Sequence, residues 1–168
     1  MKTLFLNARG RLLFGVVEVI KPIYARLFQR SKRPWKMQMP QLRSFPTGSL
    51  GKELAAFIDE HGFELLPLYE SHDVYHLLLG FPATVPGEGA MQFCLLGNGK
   101  KSPAVYITVL FSLILLPEHI PYFLQAYRKG KEALPIGKWD FQHLLYEPVC
   151  ELQSMIFRQQ SRATGYIF

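Results

Sequence analysis

Apolar residues recur along this chain at three- and four-residue spacing, and no stretch sustains the two-residue alternation of a half-buried strand, which predicts helices throughout. Residues 1–30 interleave Leu4, Phe5, Leu6, Leu12, Leu13, Phe14, Val16 and Val17 with basic side chains. They read as one long amphipathic helix ending at Ser31-Lys32-Arg33-Pro34. Pro34, Pro40, Pro46 and Gly48 make 34–48 a connecting loop. Ser49 is suited to cap a helix that runs to about His61 and is closed by Gly62. The next helix is expected from near Pro67 through Tyr69 to Leu79, stopping at Gly80. Another runs from Glu88 to Leu96, before Gly97-Asn98-Gly99 breaks the chain. An apolar helix over 103–116 follows, then one from about Pro117 to Lys129. Phe141, Leu144, Leu145, Val149, Leu152 and Ile156 give the last segment, 139–158, helical spacing that Pro148 divides.

These elements predict an all-α, single-domain helical bundle with an N-terminal amphipathic helix. Residues 1–33 would face a membrane, 34–48 would link, 49–158 would form the helical domain, and 159–168 would be a tail. The longest apolar run, Ala104–Leu116, is bracketed by Pro103 and Pro117. Thirteen helical residues reach about 20 Å, short of the roughly 30 Å of a bilayer's hydrocarbon. The run is therefore expected to be a buried helix or one wall of a greasy cavity.

Charge changes the picture at one end only. Residues 1–36 hold nine Lys or Arg against Glu18, so they carry +8 of a net +6, and the rest of the chain is −2. A basic arm with that much apolar surface suits an anionic membrane better than a phosphate backbone. The basic residues show no groove-reading pattern, and no nucleic-acid partner is expected. Two cysteines, Cys94 and Cys150, stand far apart without paired spacing, so neither a cysteine metal site nor cysteine chemistry is expected.

The sharpest feature is Ser71-His72-Asp73-Val74-Tyr75-His76-Leu77-Leu78-Leu79-Gly80. On a helix, His72 and His76 share one face about 5–6 Å apart, a separation at which one cation fits between two imidazoles. Asp73 could ligate beside them, or orient a ligand histidine from behind. Glu88, after Pro86 and Gly87, is the expected fourth ligand, and it is also a plain helix-start acid favoured by the macrodipole. Two imidazoles and two carboxylates suit Zn2+, and Fe2+ or Mn2+ would also accept them.

His72-Asp73-x-x-His76, then eleven residues, then Glu88, resembles the signature of the ubiquinone (coenzyme Q) biosynthesis family named after the fourth of the Coq proteins. Phe45-Pro46-Thr47-Gly48-Ser49-Leu50-Gly51-Lys52-Glu53, Leu79-Gly80-Phe81-Pro82-Ala83-Thr84, and Leu145-Tyr146-Glu147-Pro148 are similar to that family's other landmarks. The likeness covers roughly residues 42–156. It departs ahead of the signature, where Leu68-Tyr69-Glu70-Ser71 stands in place of a basic residue. The resemblance implies a helical zinc protein with His72, Asp73, His76 and Glu88 as ligands and catalytic residues. It implies metal-dependent decarboxylation of a prenylated hydroxybenzoate ring and organisation of a quinone-synthesis complex. The implied place is peripheral, on the cytoplasmic face of a bacterial inner membrane or the matrix side of a mitochondrial one. The implied partners are a prenylated aromatic or isoprenoid lipid and the proteins of that complex, with self-association left open.

Two other readings use the same residues. A non-enzymatic carrier or scaffold could hold a prenyl tail against helix 103–116 and the aromatics Tyr122, Phe123 and Tyr127, side chains that equally suit an ordinary core. A metal phosphohydrolase also uses a His-Asp pair but needs another upstream histidine and a distant aspartate. His61 is the one histidine before the signature. His61, His119 and His143 have no spaced partners and are expected to face solvent.

Overall fold

A computed structural model describes Gly15 and residues 34–157 of the 168-residue chain. The amphipathic helix expected over 1–33, apart from Gly15, and the tail 159–168 lie outside the described residues. Among these residues the fold is all-α, as expected: seven α-helices, two single 3-10 turns and no strand. The helices are α1 (Met39–Arg43), α2 (Leu50–His61), α3 (Glu70–Leu79), α4 (Val85–Gly97), α5 (Pro103–Leu115), α6 (Ile120–Glu132) and α7 (Val149–Phe157). The residues cluster into two compact units. Of the described residues beyond Gly15, 83–131 belong to one, and 34–82 together with 132–157 belong to the other.

In the second of these units, α2 begins where the sequence places it. The Ser49 hydroxyl accepts from the Lys52 N–H, and Gly62 closes the helix in the left-handed conformation. The helix start is also served from the far end of the chain. The Leu50 and Gly51 N–H groups donate to the carbonyls of Glu147 and Leu145, and Val149 N–H donates to the Gly48 carbonyl. Orphan donors at a helix N-terminus must find acceptors, and here a distant segment supplies them. The Phe45 ring meets Tyr146 at 4.5 Å, and an added Cβ on Gly51 would come within 2.7 Å of the Phe45 ring. The two sequence landmarks 45–53 and 145–148 are thus strapped to one another. The segment expected as a connecting loop instead contains α1, whose Leu42 is fully buried. Arg43 at its end forks onto Asp59 of α2 at 2.7 and 2.9 Å, which holds the Asp59 carboxyl below its ordinary range. Helix α3 starts at Glu70, three residues later than expected, and Gly80 in the left-handed region ends it. Gln153 of α7 donates to the Leu77 carbonyl, which ties α7 to the end of α3.

In the other unit, α4 begins at Val85, three residues earlier than expected, because the Thr84 hydroxyl accepts from the Gly87 N–H and Pro86 suits the first turn. Helix α6 crosses α4 at backbone contact distance. An added Cβ on Gly97 would overlap the Tyr127 carbonyl, and one on Gly130 would overlap the Cys94 carbonyl. Asn98 Nδ2 donates to the Gly130 carbonyl at 3.2 Å across the same crossing. Phe123 of α6 is fully buried and stacks on Phe93 of α4 at 5.0 Å, which places it in the core of this unit. Helix α5 departs from its expected burial. Only Val105 and Ser112 are buried along its length, while Tyr106, Leu110, Leu113 and Ile114 face solvent. The chain then turns by 104° between Pro103–Leu115 and Pro117–Glu132, and no single helix among the described residues is long and apolar enough to cross a membrane.

Candidate metal centre

Helix α3 carries the histidine pair because its apolar residues lock it in place. Val74, Leu78 and Leu79 are fully excluded from solvent, and Tyr75 nearly so. Burial pushes the Tyr75 phenol up to about 12. With that side inward, His72 and His76 fall on a shared face one turn apart, their ring centroids 5.1 Å from each other and the rings crossed at 73°. His72 is half-buried and His76 is buried.

The His76 ring is held at its edge and on its face. Its Nδ1 lies 2.9 Å from the carbonyl oxygen of Phe81, just past the helix end. A carbonyl only accepts, so Nδ1 holds the proton and Nε2 is left as the atom with a lone pair for a ligand. Phe57 of α2 lies nearly parallel to the ring at a centroid distance of 5.5 Å. The Phe57 ring also meets His61 at 4.5 Å and Phe63 at 6.2 Å, so His76 is one end of an aromatic cluster. The turn at Gly80 brings the Phe81 carbonyl back to the helix: Gly80 sits at φ 72°, which a side chain rarely tolerates.

Glu88 lies in the first turn of α4 and is half-buried. His72, His76 and Glu88 form a group that could hold a metal ion, with one ligand atom from each lying within 4.8 Å of the others. Two imidazole nitrogens and one carboxylate oxygen are a zinc-compatible donor set that leaves a coordination position over. Asp73 is half-buried beside His72 on α3 and stands outside this three-residue group.

The sequence did not single out Phe81, which acts through its carbonyl, or Phe57. The glycine stop at residue 80 was the available signal for the first, since a left-handed cap turns the following backbone toward the last helical turn. Glu70 was also missed. It is buried in the first turn of α3, and its carboxylate accepts from the Trp35 N–H at 2.9 Å. The remaining histidines divide. His61 and His143 are exposed, with His143 Nδ1 2.9 Å from Asp140. His119 is half-buried, 6.1 Å from the Phe123 ring. Cys94 is buried, Cys150 is exposed, and neither is in a disulfide.

No family model and no curated protein sequence matches the chain. Its fold is similar to that of a crystal structure from Nostoc punctiforme, described as a "putative ubiquinone biosynthesis protein". The two align with a TM-score of 0.61 and 20% identity, covering 89% of this chain and 81% of that one.

Proposed function

We propose that the chain is a metal-dependent enzyme of ubiquinone biosynthesis that removes the ring carboxyl of a prenylated hydroxybenzoate, with zinc as the metal. The observation that carries this reading is the His72, His76 and Glu88 group, placed where three donors can converge on one cation. The sequence resemblance points the same way, and so does the description of the Nostoc protein that shares the fold.

His76 ligates through Nε2 because Phe81 occupies Nδ1, and Phe57 keeps its ring from turning. His72 and Glu88 complete the triplet. Asp73 either adds a fourth ligand or orients His72 from behind, which raises the basicity of the ligand nitrogen. A divalent cation bound there would supply positive charge to the substrate's carboxylate or phenolate and steady charge as the carboxyl departs. In the reaction itself the bond from the ring to the carboxyl breaks, carbon dioxide leaves, and the electron pair stays on the ring carbon, which takes up one proton. An oxidative outcome would also consume an acceptor such as oxygen, because zinc has no redox chemistry.

A carrier or scaffold that only holds the prenylated lipid uses the same ligands. The exposed apolar side chains of α5 favour this second reading. Incubating metal-loaded protein with a prenylated hydroxybenzoate labelled at the carboxyl carbon separates the two. Labelled carbon dioxide, with and without oxygen, is the expected product. Lipid-competent, metal-loaded protein that releases none in either condition is a carrier.

A further inference from the structure

Helix α5 carries no charged residue along Pro103–Leu115, yet four of its large apolar side chains are in water. Tyr106 is 49% exposed, Leu110 56%, Leu113 39% and Ile114 63%. Their spacing of four, three and one places them within about 100° of arc at 3.6 residues per turn. Val105 and Ser112 are buried on the other side of the helix, with Leu116 following in the same register. The helix thus has two apolar faces, of which the fold uses one. A contiguous apolar stripe in solvent marks a surface that something covers.

The charge of its surroundings says what. Within 83–131, the compact unit that carries α5, five Lys or Arg stand against two Glu, a net +3. Across 34–82 and 132–157, the described residues of the other unit, four basic residues stand against ten acidic ones, a net −6. The apolar stripe therefore belongs to the basic part of an otherwise acidic body. Exposed Lys101 immediately precedes the helix cap at Ser102. Tyr106 in the first full turn has the amphipathic ring that favours the headgroup level.

We propose that the Tyr106, Leu110, Leu113 and Ile114 face of α5 is a docking surface for an anionic lipid bilayer, with the helix lying in the plane of the membrane. Thirteen residues span about 20 Å, enough to lie in the interface and too few to cross roughly 30 Å of hydrocarbon. Lys101, leading into the stripe, and the net positive charge of 83–131 favour anionic headgroups over neutral ones. A second copy of the chain fits less well, because it would set one +3 unit against another. The proposal is independent of the metal site, since a bilayer would hold the stripe with or without a cation at His72 and His76.

The test uses full-length protein carrying Cys150→Ser and Leu110→Cys, labelled at residue 110 with an environment-sensitive fluorophore, and vesicles of phosphatidylcholine with or without phosphatidylglycerol. Emission is expected to shift to the blue on anionic vesicles and to be quenched by nitroxide-labelled lipids, with added salt weakening the binding. The double variant L110D/I114D, checked for unchanged helical circular dichroism, is expected to lose vesicle affinity at least tenfold. Unshifted emission overturns the proposal, whether the protein floats with the vesicles, and so binds through another segment, or fails to bind at all. Emission already blue without lipid, in protein that sediments as a dimer, overturns it in favour of a second copy.

Discussion

At the scale of single residues, the proposed site turns on one ring. His76 is buried, its Nδ1 is engaged by the Phe81 carbonyl and its face by Phe57, so its Nε2 can be aimed but hardly moved. Phe57→Ala leaves every ligand in place and removes the stack. It is expected to lower metal affinity by roughly 10–100-fold, the range seen when the supports of a metal ligand are cut away, as read by competition with a chromogenic chelator; unchanged affinity would show that the stack does not position the ring. The two carboxylates separate chemistry from lipid holding. Glu88→Gln and Asp73→Asn should each lower turnover of a prenylated hydroxybenzoate by more than ~100-fold while leaving bound lipid in place. Loss of lipid instead, with no decarboxylation in the wild type, is the carrier's result. A different residue answers to pH. Burial raises the Cys94 thiol from its ordinary 9.0 to about 11, with Lys129 opposing the shift. Between those values the unfolded chain gives up the thiol proton while the folded chain keeps it. This contribution to stability is therefore complete below pH 9 and lost as pH rises toward 11. Denaturant unfolding of wild type and Cys94→Ala should show wild-type stability falling more steeply over that window, by at most about 1.4 kcal/mol per pH unit. Parallel curves would contradict it.

At the scale of elements, much was legible because local chemistry announces helix ends. Ser49, Gly62 and Gly80 cap where their residue types say they should, and the four-residue spacing of His72 and His76 put both on one face without any knowledge of the rest of the fold. What stayed hidden came from tertiary contact. Helix α1 forms inside a proline-rich stretch because Leu42 is buried and Arg43 reaches Asp59. Helix α4 starts three residues before Glu88 because Thr84, not a residue nearer the glutamate, supplies the cap. Hydrophobicity alone made α5 look buried, since composition does not say which of two apolar faces finds a partner. The backbone approach at Gly97 and Gly130 is likewise invisible until α4 and α6 are side by side. Gly130→Ala should force that crossing apart and cost about 1–3 kcal/mol or more, measurable as a lowered denaturation midpoint. An unchanged midpoint would mean that the crossing has slack.

At the scale of the whole molecule, charge is sorted along the chain. The N-terminal 36 residues carry +8, and the −2 of the remainder conceals +3 over 83–131 and −7 over 37–82 and 132–157. Removing residues 1–36 is expected to weaken flotation with anionic vesicles and to flatten its salt dependence, because those residues bring most of the positive charge. Equal binding by full-length and shortened protein would contradict that part. A prenylated substrate lives in a bilayer, so an enzyme that decarboxylates it gains from resting there, and the metal is what would make it an enzyme. The central claim is that His72, His76 and Glu88 hold one divalent cation. Calorimetric titration of zinc into chelator-stripped, folded protein tests it most directly. The account predicts about one equivalent bound by the wild type and none at that site in His76→Ala. Wild-type protein that stays folded and takes up no metal would contradict it.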